Sequence, residues 1–345
     1  MSSTSKTNRY LFLFLSLFLI VLVLANLAIG SVSIPLDVFV HFFDNQTAES
    51  EKIWHHIIIE SRLPQTITAI LAGSALGLAG LQMQTLFRNP LAGPSILGIS
   101  SGASLGVALL TMGSGFGSLF LNSSVLQEIG VHLAAFAGSF SILFVILFAA
   151  KKIKSNASLL IIGIMVAYAV SAIIGLLNFV GQQGEVHAFV IWGLGSFSNV
   201  QSNQLLFFAA WVFPALLLST FLVKPMNALL LGDAYAQNLG VNLKQIRWQL
   251  ILLSGFLTAL ITAYTGPIAF IGLATPHLAR LLFKSSDHKQ LIPAVILLGM
   301  LVALFCNIVA RLPFFQDVLP INVITSLFGA PLVIYLIIQR KQIGF

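Results

Sequence analysis

Charge is what this chain has least of: only 8% of its 345 residues are Asp, Glu, Lys or Arg, against roughly 25% in a soluble globular domain. That shortage excludes water as the main solvent of the fold. Cysteine is nearly absent too. Cys306 stands alone within an apolar run, so no intramolecular disulfide is available, and such a thiol reads as a small core residue. The chain has no G-x-x-x-x-G-K-[S/T] phosphate loop and no His-Glu-x-x-His metal motif, and the single Cys supports no Cys–His–Asn site, which leaves no basis for an intrinsic ATPase or hydrolase. Finally, no charged residue falls near the middle of an apolar block, where ion-coupled carriers and proton relays usually keep one. A sodium-driven carrier built on oxygen ligands and broken helices stays open as a reading from a different class.

What is present is hydrocarbon. Apolar residues make up 58% of the chain and mean hydropathy is +0.98. About 20 apolar residues cross roughly 30 Å of bilayer, and the blocks predict ten transmembrane helices near 10–29, 64–86, 95–112, 129–150, 158–179, 204–223, 248–265, 268–283, 290–309 and 321–339. The expected fold class is therefore an all-α integral membrane protein, with residues 1–345 as one transmembrane domain. The first block, Leu11 to Ile29, is too long for a signal h-region and lacks a following Ala-x-Ala site, so it reads as a retained span.

Ten spans starting inside place Lys6, Arg9, Arg88, Lys151, Lys152, Lys154, Lys224, Lys244, Arg247, Arg280, Lys284, Lys289, Arg340 and Lys341 on one side, and only Lys52, Arg62 and Arg311 on the other. Merging two spans would scramble this bias, so the positive-inside rule supports an even count with both termini cytoplasmic. The formal charge of +7 is spent in short clusters beside apolar blocks, which argues against a nucleic-acid partner and for contact with membrane lipid. Of the acidic residues, Asp233 and Asp287 fall inside and the other eight outside.

Small residues recur at helical spacing. Ala69, Gly73 and Gly77 form one stripe, with Gly80 on a neighbouring face, and Gly98, Gly102 and Gly106 repeat the device; such stripes let helices approach closely in lipid, for packing or for gating. Polar residues inside the blocks are few: Gln82, Gln84, Tyr168, Asn178, Thr258, Thr262, Tyr264 and Asn307, each needing a partner or a watered path. The exterior segment 31–60, with Pro35, Asp37, Asp44, Glu49, Glu51 and Trp54–His55–His56, has room for a short interfacial element. Its adjacent histidines do not converge on one ion. The stretch 181–200 carries Gln183, Glu185 and His187 and reads as a partly polar mouth. The longest interior connection, 224–247, predicts a helix opened by Asp233, stopped by Gly240 and followed by a second, basic helix. This rigid helix–turn–helix is suited to receiving force from a partner.

Four stretches carry a resemblance: Arg62–Leu63–Pro64 followed by GLAGLQMQTLFRNPLAGPSILGISSGASLG from Gly77 to Gly106, LLLGDAYAQNLGV from Leu229 to Val241, GPIAFIGLATPHLARLL from Gly266 to Leu282, and SLFGAPLVIYLI from Ser326 to Ile337. On these the chain resembles the FecCD family, the membrane permeases of bacterial ABC importers for iron siderophores, haem and cobalamin. The resemblance implies a ten-helix permease of the type II importer fold in the bacterial inner membrane. It further implies a second copy or paralogue completing the pathway, two cytoplasmic ATP-binding subunits that use ATP and Mg, and an extracytoplasmic binding protein; this chain itself would bind no cofactor or metal. Gly232, Asp233, Ala236, Gln237, Leu239 and Gly240 then become the ATPase-coupling residues, and Arg62, Pro64, Arg88, Asn89 and Pro90 signature positions. Pro276–His277 would cap or lock a bend. Arg62 and Arg88 read as anchors of their spans through lipid phosphates or helix ends, and Arg62 has a second open role, receiving an anionic complex or the acidic surface of the binding protein. The expected cargo is an iron–siderophore complex, with cobalamin or haem as the alternative.

Overall fold

The computed structural model describes residues 2–30, 32, 34–35, 49–113, 124–153, 155–312 and 318–340. Asp37, Asp44, Lys154, Asp317 and Lys341, which entered the charge count above, lie outside the described residues. Helix α1 (Ser2–Ala28) is followed by α2 (Glu49–Ile57), which carries Trp54, His55 and His56 and runs through a π-helical turn, Ile58–Arg62, into α3 (Leu63–Phe87). Pro64 sits in the first turn of α3, where its missing N–H would have had no helical partner anyway. From Leu71 to Phe87 every side chain of α3 is buried. A helix apolar on all sides belongs at the centre of its protein, and α3 is the post around which the others stand.

Next come α4 (Ile99–Met112), α5 (Ser124–Lys152), α6 (Asn156–Val180), α7 (Gln183–Gly193), α8 (Ser202–Thr220), α9 (Val223–Leu230), α10 (Asp233–Asn238), α11 (Leu243–Thr265), α12 (Ile271–Phe283), α13 (His288–Ala310) and α14 (Ile321–Arg340). Among the described residues, seven helices are long and apolar enough to span a bilayer, and α4, α12 and α14 are three shorter apolar ones. Together they occupy the ten predicted positions. Helices α8, α11, α12 and α13 pack on α3, while α4 packs on α5 and α6.

Two spans differ from expectation at their starts. The block at 95 opens with a 3-10 turn, Pro94–Leu97, and Gly98 at φ +78° before α4 begins. The block at 268 stays non-helical until Phe270, at φ +65°, and α12 has only 13 residues. At 1.5 Å per residue neither short helix crosses the hydrocarbon alone; each needs its irregular lead-in, whose backbone is tolerated in lipid because it is buried in protein. The stretch 181–200, read as a partly polar mouth, contains α7, whose first turn is closed by a capping box between Gln182 and Glu185. Glu185 is thus spent on a helix end rather than on the mouth.

The glycine stripes are contact surfaces. A Cβ on Gly73 would lie 2.2 Å from the Gly299 carbonyl oxygen of α13, one on Gly80 1.7 Å from that of Gly272 in α12, and one on Gly106 2.0 Å from that of Ala134 in α5. Gly102 meets Gly138 in the same way, and Gly77 is looser, with neighbours at 3.0 Å and beyond. Interior polar groups pair across helices: Gln82 with Ser219 at 2.8 Å, Gln84 with Arg280 at 2.6 Å, Thr262 with Ser100 at 3.3 Å and Asn307 with Asn26 at 2.8 Å. Tyr168 instead stands exposed on α6.

Arg62 and Arg311 close the far end of α1. Arg62 donates to the carbonyls of Leu27, Ala28 and Val32, and Arg311 to the Asn26 carbonyl at 3.1 Å, to Asn26 Oδ1 at 2.9 Å and to Gln65 Oε1 at 2.9 Å. Cations suit the negative end of a helix dipole. Burial, and then the neighbouring Arg62, push the Arg311 guanidinium down to about 10. Of the two roles open for Arg62, the structure displays the helix-end anchor, with the side chain turned inward and buried.

Candidate functional site

The segment 224–247 folds as α9, a turn, α10, a turn and the start of α11. Gly232 precedes α10 at φ +109°, ψ +152°, a region essentially reserved for glycine. The far end of α10 closes as a Schellman motif: Val241 N donates to the Ala236 carbonyl at 3.0 Å and Gly240 N to that of Gln237 at 2.9 Å, with Gly240 at φ +83°. Asn242 then caps α11 by accepting from Gln245 N at 3.2 Å.

Ala236 is fully buried and seats α10, whereas Gln237 and Gly240 lie exposed. More telling are Leu231, Tyr235 and Leu239, spaced by four and 62%, 52% and 58% exposed. The segment is basic and polar enough to lie outside the hydrocarbon, so water there would meet three large apolar side chains between the end of α9 and the end of α10. Large exposed apolar side chains grouped in this way are uncommon on a surface left to water.

Asp233, at the first position of α10, is held from two directions. Arg88 Nη2 donates to its Oδ1, and Arg247 Nη2 of α11 donates to its Oδ2 at 3.2 Å. Arg88 is the left-handed C-cap of α3 and also donates from Nε to the Leu229 carbonyl of α9 at 3.1 Å. With Arg88 and Asp233 about two-fifths exposed, such pairs contribute roughly 0–1 kcal/mol. Their effect is therefore positional: they tie α10 to the end of the central post and to α11.

The rest of this face is fastened the same way. Asn89 Oδ1 accepts from Leu91 N at 2.9 Å, and His277 Nε2–H donates to the Pro90 carbonyl at 2.8 Å, so the Arg88–Asn89–Pro90 turn is locked from α12, one residue beyond Pro276. Asn227 of α9 accepts from His288 N and contacts its ring at 2.8 and 2.7 Å, and donates to Asp287 Oδ1 at 2.6 Å. The Lys289 backbone N–H and then Asn227 hold the Asp287 carboxyl below its ordinary range. The start of α1 reaches the same face, where Asn8 donates to Gln290 at 3.1 Å.

Helix α11 leads from here to the opposite face. It ends at Thr265, whose carbonyl accepts from Ser196 N at 2.8 Å, beside a cavity of about 1000 Å³ walled by the far ends of α4 and α5, by α7 and the turn after it, and by residues 318–320. Thr111, His132, His187, Trp192, Ser196 and Asn199 face it, and among the described lining residues none is Asp, Glu, Lys or Arg. His132 stacks on Tyr264 at 4.7 Å and binds the Ala263 carbonyl through Nδ1 at 2.9 Å. Among the three polar residues read for the mouth, His187 alone lines the cavity. Helix α14 starts at this face, where Ile321 N donates to the Gly195 carbonyl at 3.3 Å. Among the described residues no group of three or more His, Cys, Asp or Glu converges as a metal site.

The arrangement joins a clamped helix flanked by exposed apolar side chains on one face to a wide cavity on the other through one continuous helix. Comparison with known proteins points the same way. The model of the FecCD transport family matches residues 18–339. The chain is 34% identical over 322 residues to the hemin transport system permease protein HmuU of Yersinia pestis, covering 93% of this chain and 94% of that protein. It is 34% identical over 287 residues to the vitamin B12 import system permease protein BtuC of Klebsiella pneumoniae subsp. pneumoniae, covering 83% and 84%. A solved structure described as an inward-facing conformation of a metal-chelate type ABC transporter superposes with a TM-score of 0.82 at 29% identity, over 96% of this chain and 99% of that one.

Proposed function

Because the chain belongs to the FecCD transport family, and so is the multi-pass permease subunit of an ABC importer, we propose that it carries an iron–siderophore complex inward across the cytoplasmic membrane. Separate ATP-binding subunits dock on α10, and an extracytoplasmic binding protein loads the opposite face. A second permease copy or paralogue completes the pathway. The observation that carries the reading is the exposed Leu231, Tyr235 and Leu239 on and beside α10, whose Asp233 is clamped to α3 and α11. Both helical termini share the basic face with α10, which the positive-inside rule assigns to the cytoplasm.

Work applied to α10 passes through Arg88 to the central post and through Arg247 to α11, whose other end borders the large cavity. The cavity supports a bulky chelate: its volume is at the upper end of small-molecule sites, and its described lining of hydroxyls, amides, imidazoles and apolar side chains contains no Asp, Glu, Lys or Arg that would trap cargo between steps. A wall that binds cargo equally in both states moves nothing.

Proteoliposomes holding the permease, its ATPase subunits and the binding protein test this. A ferric siderophore should accumulate only with ATP. Preferential uptake of haem or cobalamin would replace the cargo while keeping the machinery, and gradient-driven uptake by the permease alone would reject the machinery.

A further inference from the structure

Two cavities share a wall on the flank of the bundle between α5 and α11. One, of about 270 Å³, is lined by Phe140, Phe144, Leu147, Phe148 and Leu252. The other, of about 330 Å³, is lined by Lys151, Lys244 and Arg247 beside Asn242 and Gln245. Lys151 and Trp248 belong to both. The apolar slot faces outward, with Phe144 73% and Phe148 55% exposed, and α5 is a membrane-spanning helix buried over little of its length. The basic pocket lies at the end of α11 that adjoins α10. None of the described residues lining either cavity is acidic.

We propose that this pair of cavities is a binding site for an anionic phospholipid. Its acyl chain lies along Phe144 and Phe148, its glycerol passes Trp248, and its phosphate sits among Lys151, Lys244 and Arg247. The order of chemistry along the flank matches that of the lipid: hydrocarbon slot, indole at the depth where Trp is enriched in membrane proteins, then a basic pocket between helices of the kind that holds anionic headgroups. The first amides of α11 add positive potential at the same place. A peptide does not supply this sequence of groups, since the slot opens onto hydrocarbon, where an unpaired backbone is costly. Arg247 also donates to Asp233 at 3.2 Å, so a phosphate in the pocket bears on the guanidinium that orients α10. The lipid would thereby set how firmly α10 is held. Binding itself does not depend on the transport reading and is tested apart from it.

The test uses the purified full chain in phosphatidylcholine nanodiscs and follows quenching of tryptophan fluorescence by brominated lipids. Brominated phosphatidylglycerol should quench at a lower fraction of total lipid than brominated phosphatidylcholine. Trp248→Phe should remove that excess, assigning it to this site among the four tryptophans. Lys151→Gln with Lys244→Gln, both exposed and outside the α10 clamp, should weaken the preference on the order of tenfold or more. Equal quenching by the two lipids overturns the proposal, as does a preference that survives the double substitution. Displacement by inorganic phosphate at matched concentration would show that the pocket takes a free anion, and it would equally overturn a lipid occupant.

Discussion

Gly80→Ala will abolish the folded permease. The new methyl carbon would stand 1.7 Å from the Gly272 carbonyl oxygen and 2.5 Å from its carbon, against both of which van der Waals contact needs well over 3 Å. The obstacle is backbone, so no rotamer relieves it, and α3 and α12 must part along their length. Overpacking a core by a methylene typically costs 1–3 kcal/mol, more where the surroundings cannot give, and here both elements are fixed by further contacts. Gln84 at the next turn of α3 donates to the Leu273 carbonyl and accepts from Arg280, so parting the helices also strands those groups. The expected result is loss of the monodisperse protein on extraction, or a much lowered thermal midpoint. Gly175→Ala in α6, with nothing within 4 Å of its Cβ position, should be neutral or slightly stabilising through helix propensity. Wild-type behaviour of Gly80→Ala would remove the close α3–α12 approach from the account.

The second large effect is on partner binding. Leu231→Ser, Tyr235→Ser and Leu239→Ser together should leave extraction, monodispersity and thermal midpoint nearly unchanged, because exposed positions tolerate substitution within about 0.5 kcal/mol. The same triple variant should lose ATPase docking. Covering a large apolar side chain is worth about 1.5–3 kcal/mol, so three of them support on the order of a thousandfold in affinity even when burial is incomplete. Titration of the purified ATPase subunits onto reconstituted permease measures it. A triple variant that binds them as tightly as the parent would mean that α10 is not where they sit.

The membrane architecture was readable because lipid imposes a crude demand: a span needs about 20 apolar residues whatever its neighbours. The helical stop at Gly240 was readable for a similarly local reason, since a left-handed C-cap is chemistry of a single residue. What escaped was non-local. Nothing in the hydropathy of 95–98 says that Gly98 turns left-handed, or that 266–270 stays non-helical, because both lead-ins are held by other helices. Helix α7 was passed over because eleven residues fall between a turn and a span, and composition does not separate a short helix from a connection. Tyr235 was overlooked because its exposure depends on Ala236 pointing inward, and Leu231 because its exposure depends on how the chain turns at Gly232. Asp233 was read as a helix-starting and ATPase-coupling residue, without its clamp: the pairing with Arg88 spans 145 positions of sequence, and only the fold brings the two together.

The central claim is that α10 lies on the cytoplasmic face and is covered by the ATPase subunits. Cys306 is the only native cysteine and is buried, so Tyr235→Cys places a single accessible thiol on α10. A membrane-impermeant maleimide should label this variant in inside-out vesicles and leave it untouched in intact cells, and bound ATPase subunits should suppress the labelling. Labelling from outside intact cells, or labelling indifferent to the ATPase, would contradict the account.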